Sequence, residues 1–287
     1  MFTLASQPQG IGRNLDNGFR LMFAGLGAAA ILLFILIVLD VILFAVFGAG
    51  VLGMLAQLET GQLPQGGYGM FAVFIIIFYI INLMFNNAIT AKYGSVAYSQ
   101  DMSIGQAIGV GAKKILPVFV FAILYALILL VASIPLFILI SIFPPQDIVG
   151  ALALIIGLIP PMIFGLTLIF GTYLIIIDDA GIFEAISRSH KLVWGNWWRT
   201  FLYLTILIII LIAVMFTIQL TFGLIIGFVA SSAPGEGNMT FMIIMQVLNQ
   251  IISLVFIPVM VALLIPYFHD LKLRKEGSDL VARVSAA

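Results

Sequence analysis

Six long, uninterrupted runs of apolar residues dominate this chain and constrain what it can fold into. They are 26–48, 68–91, 117–142, 148–177, 200–230 and 240–267. About 20 consecutive apolar residues cross a bilayer as a helix, and continuous rather than alternating runs favour helices over barrel strands. Only 8% of the 287 residues are charged, too few for the surface of a water-soluble protein of this size. We therefore predict an all-α, polytopic integral membrane protein, with six transmembrane helices in a single transmembrane domain over residues 1–287.

The positively charged residues are distributed unevenly between the connections. All 12 Lys and Arg lie before the first run, between the second and third, between the fourth and fifth, or after the sixth. The other connections, 49–67, 143–147 and 231–239, contain none. Because cytoplasmic loops are enriched in Lys and Arg, we expect both termini to be cytoplasmic. The expected location is the bacterial inner (cytoplasmic) membrane.

Amphipathic segments precede the first, third and fifth runs, which indicates an internal repeat. These segments are 11–25, 101–117 and 178–198. Amphipathic helices of this kind lie flat in the membrane interface. We predict three repeats, each opened by a cytoplasmic amphipathic interface helix, and a cytoplasmic tail. Their approximate bounds are 11–93, 101–177 and 178–268 for the repeats and 269–287 for the tail.

The third amphipathic segment combines charged and aromatic residues. Trp194, Trp197 and Trp198 match the aromatic belt that membrane proteins place at headgroup depth. Arg188 and Lys191 are expected beside them as further interface anchors, and Glu184 is spaced one helical turn from Arg188, where it can pair with it. We predict an architectural role for this stretch, with partner docking or lipid sensing as the alternative.

The sequences DDAGIFEAISRSHKLVWGNWWRTF and PYFHDLKLRKEG resemble a group of bacterial membrane proteins. The group includes the YciC-like proteins and the membrane domain found beside some glycerophosphodiester phosphodiesterases. The matching positions are Ala185, Leu192, Trp194, Trp197, Tyr267, Asp270, Leu271, Arg274, Lys275 and Glu276. The resemblance implies a six-span membrane fold. It implies no hydrolase activity, since the sequence has no counterpart of the phosphodiesterase domain.

Asp40 is the sole charged residue within an apolar run, and a charge at membrane depth is a candidate functional group. Amide side chains are expected at a similar depth in spans five and six: Gln219, Gln246, Asn249 and Gln250. We predict that spans one, five and six converge on Asp40. Three roles remain open for the cluster: hydrogen bonds that pack helices, a ligand or ion site, and a contact with a partner subunit.

A second polar cluster lies in span two and comprises Asn82, Asn86, Asn87 and Thr90. Its position relative to the end of the apolar run places it in the cytoplasmic half of the membrane. We therefore expect it not to contact Asp40. A cavity that joined the two clusters would outline a path through the protein.

Proline residues interrupt spans three and four. Pro135, Pro160 and Pro161 each remove a backbone hydrogen bond and are predicted to kink their helices. Such kinks are either structural or part of a transporter gate. Gly157 and Gly165, which flank the prolines of span four, are expected to let the two spans approach closely as an antiparallel hairpin.

The sequence contains no recognisable catalytic or metal-binding motif. It has no cysteine, and its two histidines, His190 and His269, lie in separate basic segments. We predict no enzymatic activity, no cofactor and no metal site, and no nucleic-acid binding because the basic charge is diffuse. The expected function is a non-enzymatic inner-membrane scaffold or accessory protein. It would bind membrane lipids, a larger membrane complex or a second copy of itself. The alternative is a transporter or lipid-translocating protein with Asp40 as its intramembrane polar site.

Overall fold

The computed structural model describes residues 2–59, 67–144, 146–231, 254, 256–275 and 277, and these residues are all-α. The helices are α1 (Ile11–Glu59), α2 (Tyr68–Ala97), α3 (Ile104–Lys113), α4 (Ile115–Ala132), α5 (Ile134–Ile142), α6 (Ile148–Thr167), α7 (Gly171–Ile177), α8 (Ile182–Val193), α9 (Trp197–Ser231) and α10 (Phe256–Lys275).

Six helical stretches are long and apolar enough to cross a membrane, which confirms the predicted class of multi-pass membrane protein. They are Ile11–Gly48, Tyr68–Ala97, Ile115–Ile142, Ile148–Ile177, Trp197–Ile225 and Phe256–Lys275. Spans three and four each consist of two helices, α4 with α5 and α6 with α7. The other four are single helices within the described residues.

The helix breaks in spans three and four differ in their relation to proline. The break in span three is at Ser133, two residues before Pro135, which occupies the first turn of α5, where its missing N–H is tolerated. In span four, α6 continues through Pro160 and Pro161, and the chain leaves the helix only at 168–170. An open turn at the centre of the membrane would expose backbone N–H and C=O groups to hydrocarbon. A continuous helix has a lower free energy there, because it leaves fewer of these groups unpaired.

The two amphipathic segments before spans three and five form separate short helices, α3 and α8. The first amphipathic segment does not, since α1 runs without interruption from Ile11 into span one. The physical difference lies in the residues that end α3 and α8. Pro117 follows α3 within the first turn of α4, and Gly195 after α8 has a φ of 94°, a left-handed conformation that glycine adopts without strain. The segment 11–25 contains no proline.

The packed core lies at one end of the bundle, which we call the basic end. It is formed by α3, α7, α8, the starts of α1 and α9, and the ends of α2 and α10. The largest fully buried side chains are concentrated there and include Tyr93, Tyr203, Tyr267, Phe170 and Phe268. Towards the opposite end the described helices expose large apolar side chains on several faces, as a surface in contact with lipid would.

Close helix contacts are made through glycine. A Cβ atom added at Gly111 of α3 would lie 2.4 Å from the carbonyl oxygen of Met84 in α2. A Cβ atom added at Gly157 of α6 would lie 2.7 Å from Cα of Leu136 in α5. The second contact confirms the close approach of spans three and four that was predicted at Gly157. A Cβ atom added at Gly165 would make only ordinary contacts, at 3.8 Å, so the tight approach is not found there.

Candidate functional site: the basic end of the bundle

A buried carboxylate, Asp270 of α10, joins three parts of the chain at the basic end. Only 2% of this residue is exposed. Its carboxylate accepts hydrogen bonds from Nε of Arg274 at 2.8 Å, from Nη2 of Arg199 at 3.3 Å and from the backbone N–H of Gln9 at 2.5 Å. Asp270 therefore links α10, the first turn of α9 and the segment that precedes α1.

The residues before α1 are held against the bundle through their backbone. The carbonyl oxygen of Gln9 accepts hydrogen bonds from Arg199 and, at 2.9 Å, from Arg274. Nε2 of His269 lies 3.1 Å from the carbonyl oxygen of Ala5. Because a carbonyl only accepts, Nε2 carries the proton in this contact. These bonds fix residues 5–9 across the end of α10.

A second carboxylate, Asp178, joins α7 to α8 and α10. It accepts hydrogen bonds from Nη2 of Arg188 at 2.9 Å and from Nζ of Lys272 at 2.8 Å. Arg188 also bonds Glu184 at 3.2 Å, which confirms the predicted i, i+4 pair. Arg188 is therefore a member of an ion-pair network, in addition to its predicted position in the interface segment.

The neighbouring carboxylate, Asp179, points away from the core and pairs with Lys114. Its side chain is 88% exposed, whereas that of Lys114 is 15% exposed. The hydrogen bond from Lys114, together with its positive charge, holds the pKa of Asp179 below the ordinary value for an aspartate. This pair connects the junction of α7 and α8 to the junction of α3 and α4.

An aromatic cluster lies beneath the ion pairs. The rings of Tyr203 and Tyr267 stack with centroids 4.0 Å apart, and those of Phe170 and Phe268 stack at 5.6 Å. The ammonium group of Lys272 lies 5.3 Å from the Phe268 ring, within the range of a cation–π contact. The charged groups of the basic end therefore pack against a cluster of stacked aromatic rings.

The three tryptophans occupy the turn between α8 and α9 and the start of α9. Trp194 is 55% exposed and Trp198 74% exposed, whereas Trp197 is half-buried and stacks on Phe201 with ring planes 2° apart. Lys191 is exposed on α8. Two of the three predicted aromatic anchors thus project from the protein surface.

The predicted absence of contact between Asp40 and the span-two cluster is wrong. Nδ2 of Asn82 donates a hydrogen bond to Oδ1 of Asp40 at 3.2 Å. The same antiparallel register brings Gly25 against Tyr93 and Phe47 against Phe74. The ends of the apolar runs place the two residues at different depths. However, α1 continues to Glu59 and α2 to Ala97, and this longer hairpin sets Asp40 opposite Asn82.

Within the described part of the chain, the other members of the span-two cluster form their hydrogen bonds with groups other than Asp40. Nδ2 of Asn86 donates to the carbonyl of Asn82, and the Thr90 hydroxyl donates to the carbonyl of Asn86, both at 2.9 Å. Nδ2 of Asn87 donates to the carbonyl of Gly111 at 3.4 Å. Asn87 therefore ties α3 to α2, while Asn86 and Thr90 satisfy groups of their own helix.

The predicted convergence of spans one, five and six on Asp40 stays a prediction. Gln219 lies partly buried on α9. Gln246, Asn249 and Gln250 fall outside the described residues. Asp40 itself lies on the inward stripe of α1, between the buried residues Leu36 and Leu43, and is half-buried.

Of the residues in these two networks, sequence analysis assigns only Arg188 to a site; it names Asp270 and Arg274 solely as positions of the resemblance and misses Gln9, Asp178, Arg199 and Lys272. Gln9 acts through its backbone, which leaves no signature in the sequence. Asp178 stands beside the more exposed Asp179, and only the fold distinguishes the two. Within the described ranges, no group of three or more His, Asp or Glu side chains is placed to hold a metal ion.

The fold and its charged end define the class: an all-α, multi-pass membrane protein. A family model described as a domain of unknown function, DUF7847, matches residues 109–271, which is more than half of the chain. The chain belongs to this family. The matched region runs from α3 to α10 and includes Asp178, Arg199 and Asp270. No curated protein and no solved structure matches the chain.

Proposed function

We propose that this protein is a non-enzymatic scaffold or accessory protein of the cytoplasmic membrane. Its basic end would hold lipids, a larger membrane complex, or both. The observation that carries the proposal is the network around Asp270 and Asp178, which ties α7, α8, α9, α10 and the N-terminal segment into one unit. Paired and buried charges of this kind rigidify a surface. The exposed rings of Trp194 and Trp198 then give that surface a means of contact with the membrane interface.

The proposed topology places the basic end and both termini in the cytoplasm. Its support is the distribution of Lys and Arg. A three-repeat plan is supported by α3 and α8, each a short helix directly before a span. The first repeat would differ from the others by fusion of its interface segment with α1.

The resemblance to the YciC-like proteins is also part of this proposal. Its matching positions include buried core residues of the basic end. These are Ala185, Leu192, Tyr267, Asp270 and Leu271, none more than 6% exposed. A shared arrangement at these positions would explain the resemblance as one of fold.

The scaffold proposal is tested by extraction of the membrane with a polymer that retains native lipid, followed by native mass spectrometry. We expect the chain to be recovered with bound lipid, with a protein partner or as a homo-oligomer. Recovery as a bare monomer, from native membranes and in the absence of detergent, would contradict the proposal.

A transport function is the second candidate, and one observation favours it: the half-buried Asp40 and its bond to Asn82 inside the membrane. The substitutions Asp40→Asn and Asn82→Leu separate the two functions in a deletion strain that expresses each variant. If the protein is a scaffold, we expect both variants to rescue the defect of the deletion strain in proportion to their protein level. Loss of rescue by Asp40→Asn at normal protein level would favour transport.

A further inference from the structure

Asp40 and Asn82 lie near the middle of the membrane in the hairpin of α1 and α2, where they bond each other at 3.2 Å. At 1.5 Å per residue, Asn82 is about 21 Å along α2 from Tyr68 and about 15 Å from Lys92. The hydrocarbon layer of a bilayer is about 30 Å thick, so neither end of α2 brings Asn82 close to water. The half-buried carboxyl group of Asp40 is therefore a polar group at membrane depth.

No positively charged side chain lies at this depth. All 12 Lys and Arg and both histidines fall outside the six apolar runs, so this holds for the whole sequence. The nearest titratable side chains of α2 are directed elsewhere: the ring of Tyr79 packs against span three, and the ammonium group of Lys92 bonds the carbonyl of Met102. Span six has no titratable residue before Tyr267, which is buried at the basic end. Asp40 is therefore without a counter-charge at its own depth.

Asp40 differs in this respect from the carboxylates of the basic end. Asp270 accepts hydrogen bonds from two arginines, and Asp178 accepts them from an arginine and a lysine. Asp40 accepts one hydrogen bond within the described residues, from the neutral amide of Asn82. One neutral hydrogen bond does not offset the loss of hydration that an ionised carboxylate incurs in hydrocarbon. A group in that position becomes neutral by taking up a proton.

The orientation of Asn82 determines which oxygen of Asp40 carries the proton. Nδ2 of Asn82 donates to the carbonyl oxygen of Phe78 at 3.0 Å and to Oδ1 of Asp40 at 3.2 Å. A backbone carbonyl only accepts, so the atom of Asn82 in these contacts is the nitrogen, and both of its protons are used. Oδ1 is therefore the accepting oxygen of the carboxylic acid, and Oδ2 carries the proton.

We propose that Asp40 is a proton-binding site at the middle of the membrane, occupied at neutral pH, with Asn82 as the residue that positions the carboxyl group. The ligand is a proton on Oδ2. This site rests on the membrane insertion of α1 and α2, and it holds for either candidate function. In a scaffold the proton would stay bound and keep the hairpin uncharged, whereas in a transporter its release would be coupled to the substrate.

A lipid-soluble carbodiimide tests for a protonated carboxyl group at this depth. The acid transfers its proton to a carbodiimide nitrogen, its oxygen bonds the central carbon, and an acyl shift to nitrogen leaves a stable N-acylurea that contains all atoms of both reactants. The protein is reconstituted in phosphatidylcholine vesicles and treated with dicyclohexylcarbodiimide at neutral pH, and peptide mass spectrometry locates the adduct. We expect an adduct at Asp40. Asp16, an exposed carboxylate of the same helix that pairs with Arg20, is the internal control and should stay unmodified.

Infrared spectroscopy measures the protonation state independently of access by the reagent. At neutral pH the difference spectrum of the wild type minus Asp40→Leu should contain the C=O stretch of a carboxylic acid. This band should give way to carboxylate bands at high pH. The variant Asn82→Leu removes a hydrogen bond that favours the ionised form more than the acid, so it should tighten proton binding about fivefold, which corresponds to about 1 kcal/mol.

Carboxylate bands from Asp40 in the wild type at neutral pH would overturn the proton site, whether or not the carbodiimide reacts. A proton affinity that Asn82→Leu leaves unchanged would overturn the positioning role of Asn82. Neither result would bear on the scaffold proposal, because that proposal depends on the ion pairs of the basic end.

Discussion

Replacement of Asp270 by asparagine tests whether the basic end is held together by its buried carboxylate. The substitution keeps the shape of the side chain and removes its charge. Arg199 and Arg274 are only 25% and 28% exposed, so both would lose their counter-charge in a largely dry site. The Gln9 N–H would keep at best a neutral acceptor.

The magnitude follows from the three bonds at this carboxylate, which measure 2.5, 2.8 and 3.3 Å. A hydrogen bond to a charged group contributes about 1.5–3 kcal/mol. Asparagine can replace one of the two short bonds through its carbonyl oxygen, but its amide group faces a guanidinium group. Loss of one partner from a buried ion pair costs about 3–5 kcal/mol, and the partial exposure of the arginines favours the lower end. We expect Asp270→Asn to reduce the free energy of unfolding by about 3 kcal/mol.

The assay is unfolding in mixed micelles of increasing SDS content, followed by tryptophan fluorescence. The matched control is Asp16→Asn, which makes the same chemical change at an exposed i, i+4 pair with Arg20, where the two side chains are 60% and 71% exposed. An exposed helical pair contributes about 0.3–0.5 kcal/mol. If Asp270→Asn costs no more than Asp16→Asn, the argument that Asp270 locks the basic end is refuted.

Two further predictions concern helix contacts at the same end. Gly111→Ala should destabilise the protein by about 1–3 kcal/mol in the same SDS unfolding assay, because its Cβ atom would meet a backbone oxygen. Gly109→Ala, with open space around it, should be neutral or stabilising. The lowered pKa of Asp179 means that its pairing with Lys114 stabilises the fold at neutral pH and is lost as pH falls through the folded-state pKa, below the ordinary aspartate value. Carbon-13 NMR of Asp179 checks the shift, and Lys114→Met should raise the pKa towards its ordinary value, with Lys113 still lowering it. An unchanged pKa in that variant would contradict the assigned cause.

The span count and fold class could be predicted because they depend on local properties of the sequence. An apolar run of 20 residues needs no knowledge of its neighbours to be assigned to the membrane. The pairing of Glu184 with Arg188 is equally local, since it depends only on helical spacing. The close approach at Gly157 follows from a short connection that forces spans three and four to be neighbours.

The contacts of Asp40 and Gln9 could not be predicted because they depend on register and on distant parts of the chain. The bond between Asp40 and Asn82 requires the length of the α1–α2 hairpin, which the apolar runs underestimate. Gln9 meets Arg199 and Asp270 across 190 and 261 residues of sequence. Backbone bonds of that kind carry no residue preference that a single sequence would display.

The measurement that tests the central claim most directly is the sidedness of the basic end. The chain contains no cysteine, so single cysteines can be introduced at Gly12 and Lys191 of the basic end and at Gln146 of the opposite end, all exposed positions. A membrane-impermeant maleimide is added to spheroplasts before and after permeabilisation. The account predicts that Gln146→Cys reacts in intact spheroplasts and that Gly12→Cys and Lys191→Cys react only once the membrane is opened. Reaction of Lys191→Cys in intact spheroplasts would contradict a cytoplasmic basic end, and with it the proposed scaffold.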